Sequence, residues 1–88
     1  MVEREFEVRL ELGLHARPAG QFVTLAARFE SDIELGRGDE WVSGRSVLSI
    51  LSLAAARGTR VRIRAVGPDA EAAVECLGGI LLRSSSEP

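Results

Sequence analysis

The hydrophobic residues of this chain repeat with two different periods, and the order of those periods restricts the fold more than any other feature. Residues 2–10 and 59–66 both alternate between apolar and charged side chains. A period of two predicts a strand that buries one face and exposes the other. Glutamates occupy the outer face of the first segment, and arginines occupy that of the second. Both strands therefore need a covering layer on one side only.

Three other segments have the period of a helix. The first begins at about residue 15 or 16 and carries Pro18 in its opening turn, where a missing N–H breaks no intrahelical bond. Its apolar stripe consists of Ala19, Phe22, Val23 and Ala26. The second is expected to begin at a cap from Ser43 or Ser46 and to end at Gly58. Its inward-facing residues are Val47, Ile50, Leu51 and Ala54, and Leu48 lies off that stripe.

The third helix follows a turn at Gly67-Pro68-Asp69, and we expect Asp69 to cap it. Its buried stripe is predicted to be Ala70, Ala73, Val74, Leu77 and Leu81. Cys76 is expected to be buried or half-buried as a small apolar residue. The pair Gly78-Gly79 predicts fraying of the last turns, since glycine lowers helix stability.

A hairpin accounts for the remaining strands. Ile33 and Leu35 mark the first strand, and a turn at residues 36–39 leads into the second, where Trp41 is expected to pack rather than to bind a ligand. The element order is then β-α-β-β-α-β-α in a single domain, 1–88, with a polar tail at about 84–88. This order predicts an α+β fold of two layers, with helices on one side of a sheet that is at least partly antiparallel.

Charge and cysteine content exclude several classes of protein. The net charge of −2 provides no overall field for nucleic acid or an anionic membrane. The arginines at 60, 62 and 64 suggest RNA binding, but no aromatic residue interrupts them, and glutamates at 3, 5 and 7 can balance them. One cysteine cannot form an intramolecular disulfide, and no segment approaches the ~18 apolar residues of a membrane span. The first residues are charged rather than apolar, which is unlike a signal peptide, so we expect a cytoplasmic protein. Together with the charge balance and the lack of a long apolar segment, this predicts a protein that neither binds nucleic acid nor inserts into a membrane.

The residues best suited to chemistry lie in the segment Gly13-Leu14-His15-Ala16-Arg17-Pro18-Ala19. This segment places the only imidazole and a guanidinium at the start of a helix, where backbone N–H groups and the helix dipole favour anions. Arg17 adds a planar donor suited to phosphate oxygens, and a neutral imidazole is a competent nucleophile. A lone histidine cannot build a multi-histidine metal site, and no serine or cysteine nucleophile motif stands out. The residues alone leave two interpretations of His15 open, a phosphate acceptor and an ordinary loop histidine.

The same segment resembles the phosphohistidine signature of the histidine-containing phosphocarrier family (HPr) of the phosphoenolpyruvate-dependent sugar phosphotransferase system. The resemblance extends over nearly the whole chain through Gln21-Phe22-Val23, Ser46-Val47-Leu48, Ser52-Leu53 and Gly58-Thr59. It implies an open-faced β-sandwich, in which three helices cover one face of a four-stranded antiparallel sheet with the order 1-4-2-3.

The resemblance also implies a function, that of a monomeric carrier rather than an enzyme, with no metal or cofactor. His15 would accept a phosphoryl group on Nδ1 from phosphorylated enzyme I and donate it to an enzyme IIA domain. Arg17 and the backbone N–H groups of Ala16 and Arg17 would stabilise the transferring charge. Partners would dock on a surface made of Leu14, Gly20, Thr24, Val47, Leu48 and Leu51, with Leu14, Leu48 and Leu51 as its exposed apolar part.

Ser46 matches a second, regulatory position of the family, which an HPr kinase/phosphorylase modifies with ATP and which acts on a transcriptional regulator. The simpler interpretation is that Ser46 only caps a helix. Three further alternatives stay open for the whole chain. They are a carrier of the nitrogen-related phosphotransferase system, a purely regulatory member of the family, and an RNA- or ligand-binding domain with the same element order.

Overall fold

The computed structural model describes residues 1–83, so the polar tail predicted at about 84–88 lies outside the described residues. The elements follow the predicted order. They are β1 (Val2–Glu7), α1 (Ala16–Ala26), β2 (Asp32–Arg37), β3 (Glu40–Ser43), α2 (Val47–Ser52), β4 (Arg60–Val66) and α3 (Ala70–Leu81).

The strands form one antiparallel sheet with the order β1-β4-β2-β3, which confirms the expected order 1-4-2-3. β4 lies between β1 and β2, and Arg37 pairs with Glu40, so that a two-residue turn joins β2 to β3. Gly38 in that turn has a φ of 60°, a left-handed conformation that glycine adopts without strain.

The core lies between the sheet and the three helices, which pack on one face as an open-faced sandwich. Strand residues that face the helices are 3% exposed or less. They are Ile33, Leu35, Val61, Ile63 and Ala65. The predicted stripe of α3 is buried throughout, and in α1 only Val23 of the predicted stripe is half-buried rather than buried. The two periods thus identified the buried faces of these strands and of α1 and α3 correctly, whereas in α2 only Ile50 of the predicted stripe is fully buried.

The other face of the sheet carries the charged side chains, and they pair with one another. Arg60 contacts Glu5 at 3.1 Å, and Arg64 contacts Glu34 at 2.7 Å. The guanidinium carbons of Arg62 and Arg64 lie 4.8 Å and 3.8 Å from the ring centroid of Trp41. These are cation–π distances, so the arginines are engaged within the protein. The arrangement agrees with a balanced outer face on which Trp41 packs.

The second helix is shorter than predicted. It ends at Ser52 rather than at Gly58, and Leu53 is buried after it. Ala54, predicted to face the core, is exposed and has a φ of 50°, in the left-handed region. This backbone conformation turns the chain away from the helix axis, so the helical spacing no longer decides which side chains are buried. Leu48 is 81% exposed, as predicted.

Asp69 occupies the N-cap position of α3 but makes no capping hydrogen bond with its side chain. Its carboxylate instead accepts hydrogen bonds from the backbone N–H groups of Glu30 and Ser31 and from the Ser31 hydroxyl, at 2.9, 3.0 and 2.5 Å. The Ser31 hydroxyl, followed by the Glu30 N–H, holds the pKa of Asp69 below its ordinary value. Asp69 therefore fastens the loop after α1 to the start of α3 rather than capping its own helix.

One prediction about α3 is wrong. Cys76 is exposed, because it lies just beside the buried stripe rather than on it. The helix continues through Gly78-Gly79 to Leu81, and Gly78 is buried against the Phe6 ring with no room for a Cβ. The Arg9 N–H also donates to the Leu81 carbonyl at 2.8 Å, which ties the end of α3 to the chain after β1.

Candidate functional site

His15 is the N-cap residue of α1, with an extended backbone at φ −85° and ψ −172°. Its carbonyl accepts the Ala19 N–H at 3.0 Å, and its side chain makes no capping hydrogen bond. The side chain is half-buried. The helix therefore begins where the sequence predicted, and capping does not occupy the imidazole.

The chain reaches His15 through a tight approach between two loops. Gly13 has a φ of 73°, and a Cβ there would lie 2.9 Å from both the Ala55 carbonyl oxygen and the Ala56 Cα. The Leu14 N–H donates to that Ala55 carbonyl at 2.9 Å. Glycine at 13 is required by conformation and by space, and it brings the loop that follows α2 against the loop that carries His15.

A cavity of about 320 Å³, open to solvent, lies beside the imidazole. His15 lines it together with apolar side chains and the loop after α2. The other lining residues are Leu12, Leu14, Leu51, Ala54, Ala55 and Ala56. The sequence predicted Leu14 and Leu51 for this surface, but it gave no signal for the wall at 54–56, because that wall depends on where α2 ends.

Arg17 and Ala16 lie in the first turn of α1, and both side chains are exposed. The first intrahelical N–H bond comes from Ala19, and Pro18 has no N–H. The backbone N–H groups of Ala16 and Arg17 thus lie ahead of the helical hydrogen bonds, at the positive end of the helix dipole. This turn carries two backbone N–H groups and one arginine next in sequence to a half-buried imidazole, a combination that suits an anion.

The predicted docking residues fall into separate groups. Gly20 and Thr24 line an open groove of about 630 Å³ between α1 and the end of α3. Val47 and Leu48 lie in the first turn of α2, and Leu51 lines the cavity beside His15.

The prediction that Leu14 is exposed is wrong, because it is only 5% exposed and belongs to the core. Its backbone is held by Ala55, and the side chain turns inward as the loop approaches α1. Leu12 takes its place at the surface, 76% exposed at the rim of the same cavity. Sequence reasoning missed Leu12 as part of this surface, although an apolar residue directly before a loop glycine was the available signal.

Ser46 is the N-cap residue of α2, and its hydroxyl oxygen accepts the Ser49 N–H at 3.2 Å. Ser43, the other predicted cap, accepts the Arg45 N–H at 3.1 Å and lies before the helix. Ser46 is half-buried. The cap is therefore Ser46, and its oxygen is already in use.

Within residues 1–83, no group of three or more histidine, cysteine, aspartate or glutamate residues could hold a metal ion. None of the helices in this part of the chain has the length and apolar character needed to cross a membrane.

The chain matches the family model for the PTS HPr component phosphorylation site over residues 2–82. It is 44% identical over 77 residues to the HPr-like protein Crh of Bacillus subtilis (strain 168), covering 88% of this chain and 91% of the relative. It is 45% identical over 82 residues to the phosphocarrier protein HPr of Haloferax volcanii, covering 91% of this chain and 92% of that protein.

Solved structures of HPr and Crh proteins superpose closely on this chain. HPr-C-His from Thermoanaerobacter tengcongensis superposes with a TM-score of 0.91 at 34% identity, covering 100% of this chain and 99% of that one. A crystal structure of Bacillus subtilis Crh, described as a swapped dimer, superposes with a TM-score of 0.76 at 40% identity, covering 97% and 98% of the two chains. The fold shared with these proteins is that of the phosphocarriers of the phosphotransferase system. The chain belongs to the HPr family of those carriers.

Proposed function

We propose that His15 is the residue that carries the phosphoryl group. One observation supports this above all: the imidazole is the side chain of an N-cap residue that makes no capping hydrogen bond, at the positive end of an 11-residue helix. An N-cap side chain usually accepts an N–H of its own helix, and this one is left available for chemistry. Membership of the HPr family supports the same assignment, since the matched model is named for a phosphorylation site.

In the proposed transfer, the lone pair of His15 Nδ1 attacks the phosphorus of the phosphohistidine on enzyme I. A new N–P bond forms as the N–P bond to the donor breaks, and the electron pair returns to the donor imidazole. In the second step, a nucleophile of an enzyme IIA domain attacks the phosphorus, and the N–P bond to His15 breaks. The choice of Nδ1 and of these two partners rests on the family resemblance, and the chain acts as a carrier that needs both partners.

The first turn of α1 has the complementary role in this proposal. The transferring group spreads negative charge over its three equatorial oxygens. The Arg17 guanidinium and the backbone N–H groups of Ala16 and Arg17 would stabilise that charge as donors at the positive end of the helix. Arg17 therefore contributes to rate, whereas His15 makes the bond.

Docking of partners is proposed to use the surface around the cavity and the first turn of α2. Leu48 and Leu12 are large apolar side chains that the core does not use. Exposed apolar side chains favour a protein partner over a small substrate, and Leu12 shares the cavity with His15. Val47 and Leu51 on α2 belong to this proposed surface, Gly20 and Thr24 would contact a partner through the separate groove on α1, and Leu14 supports the cavity from the core.

The test is the intact mass of the protein after incubation with phosphoenolpyruvate and a catalytic amount of enzyme I. We expect a gain of one acid-labile phosphoryl group in the wild type and none in His15→Ala. Arg17→Ala should still be phosphorylated, but about 10-fold or more slowly, since it loses one charge-stabilising donor. Arg60→Ala is the matched control, because it removes the same charge on the outer face of the sheet. A wild-type protein that gains no phosphate from an active enzyme I would contradict the proposal.

The same assay separates the sugar branch from the nitrogen-related branch. Enzyme I of each system is offered in parallel, and the faster donor identifies the branch, since the chemistry at His15 is common to both. Light scattering before and after phosphorylation tests the expected monomer against the swapped dimer described for Crh.

A second candidate function is regulation at Ser46, favoured by its position at the start of α2. A phosphate at a helix N-terminus is electrostatically favourable, so α2 would tolerate the modification. Incubation with ATP and an HPr kinase/phosphorylase should add an acid-stable phosphate to the wild type and none to Ser46→Ala. A transcriptional regulator would then be the partner of the modified protein. Absence of modification by an active kinase would leave Ser46 as a helix cap alone.

A further inference from the structure

Arg37 makes a contact that neither the sheet nor the proposed chemistry explains. It lies at the end of β2, and its Nη1 donates to the carbonyls of Leu53 and Ala54 at 2.8 and 2.9 Å. These carbonyls directly follow the last residue of α2, where helical hydrogen bonding stops. Carbonyls at a helix C-terminus lack helical partners and carry partial negative charge, so a guanidinium is a suitable donor.

The segment that Arg37 holds has an unfavourable backbone conformation. Ala54 has a φ of 50°, which is the left-handed region. A residue with a Cβ is strained there and keeps the conformation only where its surroundings fix it. Arg37 binds the carbonyl before this strained residue and the carbonyl of the residue itself. Its two hydrogen bonds therefore fix the peptide carbonyls on either side of the φ and ψ angles of Ala54, which define the turn.

The same turn is the wall of the cavity beside His15. Ala54, Ala55 and Ala56 line that cavity. The Ala55 carbonyl accepts the Leu14 N–H at 2.9 Å, one residue before His15. A short series of contacts thus connects Arg37 to the turn, the turn to Leu14, and Leu14 to the backbone that carries the imidazole.

We propose that Arg37 is a positioning residue for phosphoryl transfer, which acts by holding the left-handed turn at Ala54 against the loop of His15. This inference rests on the proposed function of His15. Arg37 does not touch the reacting atoms, and its effect is on the position of the cavity wall and of the Leu14–His15 backbone. Misplacement of a reacting group by about 1 Å can lower a rate 100-fold, so a displaced wall is expected to affect the transfer step rather than docking alone.

The experiment compares Arg37→Met with Arg60→Met. Methionine keeps much of the apolar stem of arginine and removes all donors, and Arg60 has the same charge but lies on the outer face of the sheet. We expect Arg37→Met to lower kcat for phosphoryl acceptance from phospho-enzyme I by about 10-fold with KM within about 2-fold. Arg60→Met should leave both constants within about 2-fold of wild type, since it has no contact with the turn.

Rescue separates positioning from a general loss of stability. Glycine adopts a φ of 50° without strain, so Arg37→Met combined with Ala54→Gly should recover most of the lost kcat. Arg37→Lys keeps the charge and one donor, and we expect a kcat between those of Arg37→Met and the wild type, which also covers the case in which Arg37→Met does not fold. Unchanged kcat in folded Arg37→Met, or an equal loss in Arg60→Met, overturns the proposal, as does a double variant no faster than Arg37→Met.

A measurement on the unphosphorylated protein distinguishes failure of this inference from failure of the proposed function. Backbone amide NMR shifts of Leu14, His15 and Ala55 should move in Arg37→Met and return in the double variant. If these shifts stay at wild-type positions, Arg37 does not hold the turn. If the wild type takes up no phosphate while the shifts move as expected, the carrier assignment of His15 is what fails, and the transfer role of Arg37 is overturned with it.

Discussion

The N-cap residues of α1 and α2 differ in what their side chains do. Ser46 opens α2 with a hydroxyl that accepts the Ser49 N–H, the usual arrangement for an N-cap. His15 opens α1 without any capping hydrogen bond from its side chain. The longer helix thus has the poorer cap, although α1 has 11 residues and α2 has 6. Stabilisation of α1 must come from its buried face.

Under the proposed function of His15, α1 gives up stability at the residue that carries out the chemistry. A serine cap contributes about 1 kcal/mol to a helix, and α1 does without it. Its buried stripe, with Ala19, Phe22 and Ala26 fully inaccessible, makes up for the missing cap. Residues at functional sites often give up stability in this way, because the group that reacts has to remain unpaired.

The largest effect that tests this contrast is expected from His15→Ser. Serine should accept an N–H of the first turn, so the free energy of unfolding should rise by about 1 kcal/mol. Phosphoryl acceptance at position 15 should be abolished, because the imidazole is gone. Urea unfolding and the intact-mass assay measure the two properties, with His15→Ala as the control that gains no cap. A loss of stability in His15→Ser would show that the imidazole packs or caps in a way that the contacts do not reveal.

The next effect concerns α3, whose N-cap side chain is used elsewhere. Asp69→Asn should lower the melting temperature at pH 7 by several degrees, because an amide cannot accept all the hydrogen bonds from Glu30 and Ser31 that the carboxylate accepts. The pKa of Asp69 is lowered in the folded protein. Its contribution is therefore fully present above its ordinary pKa and is lost as the pH falls through the lower, folded-state pKa.

Thermal unfolding of wild type and Asp69→Asn between pH 7 and pH 2 checks the direction of this pH dependence. The difference in melting temperature should be constant from pH 7 to about pH 5 and should narrow below about pH 4, where the carboxylate of the unfolded chain begins to protonate. Ser31→Ala removes the largest cause of the lowered pKa, so in that background the narrowing should be complete at a higher pH. A difference that stays constant down to pH 2 would mean that the charge of Asp69 is unimportant.

The smallest effect is expected from Ser46→Ala, because it removes one capping hydrogen bond and keeps the imidazole of His15. Loss of the cap should lower the free energy of unfolding by about 1 kcal/mol and leave phosphoryl acceptance by His15 within about 2-fold. Ser46→Asp is the matched variant, since aspartate is an equally good N-cap and should keep the stability of the wild type. Denaturant unfolding and the mass assay again give both values. Equal destabilisation by alanine and aspartate would argue against the capping role.

The sequence predicted those parts of the fold that depend on local period and local caps. The strands, α1 and the stripe of α3 follow from spacing alone, because alternation and the 3.6-residue period report which face is buried. The end of α2 could not be predicted in this way. Arg37, 16 residues before Leu53, binds the carbonyls at that end, and no local pattern contains a contact over such a distance.

The candidate site likewise has a part that the local sequence predicts and a part that depends on contacts between distant residues. His15 and Arg17 are evident from their motif and from the helix start that Pro18 marks. The side of the site formed by residues 54–56 depends on the meeting of two distant loops, which Gly13 allows and the sequence did not indicate. Asp69 was identified at the correct position but with the wrong partner, because N-cap statistics do not foresee a serine 38 residues away.

The place of β4 in the sheet has a consequence for how the chain is made. β1 is synthesised first, but its only neighbour in the described sheet begins at Arg60. At about 5–20 residues per second, a ribosome needs roughly 3–10 s to pass from one strand to the other. During that time Val2 and Phe6 have no partner strand. Ribosomes that follow one another on a single message therefore carry the same unpaired strand at the same time, and an unpaired strand edge can pair with a neighbouring chain.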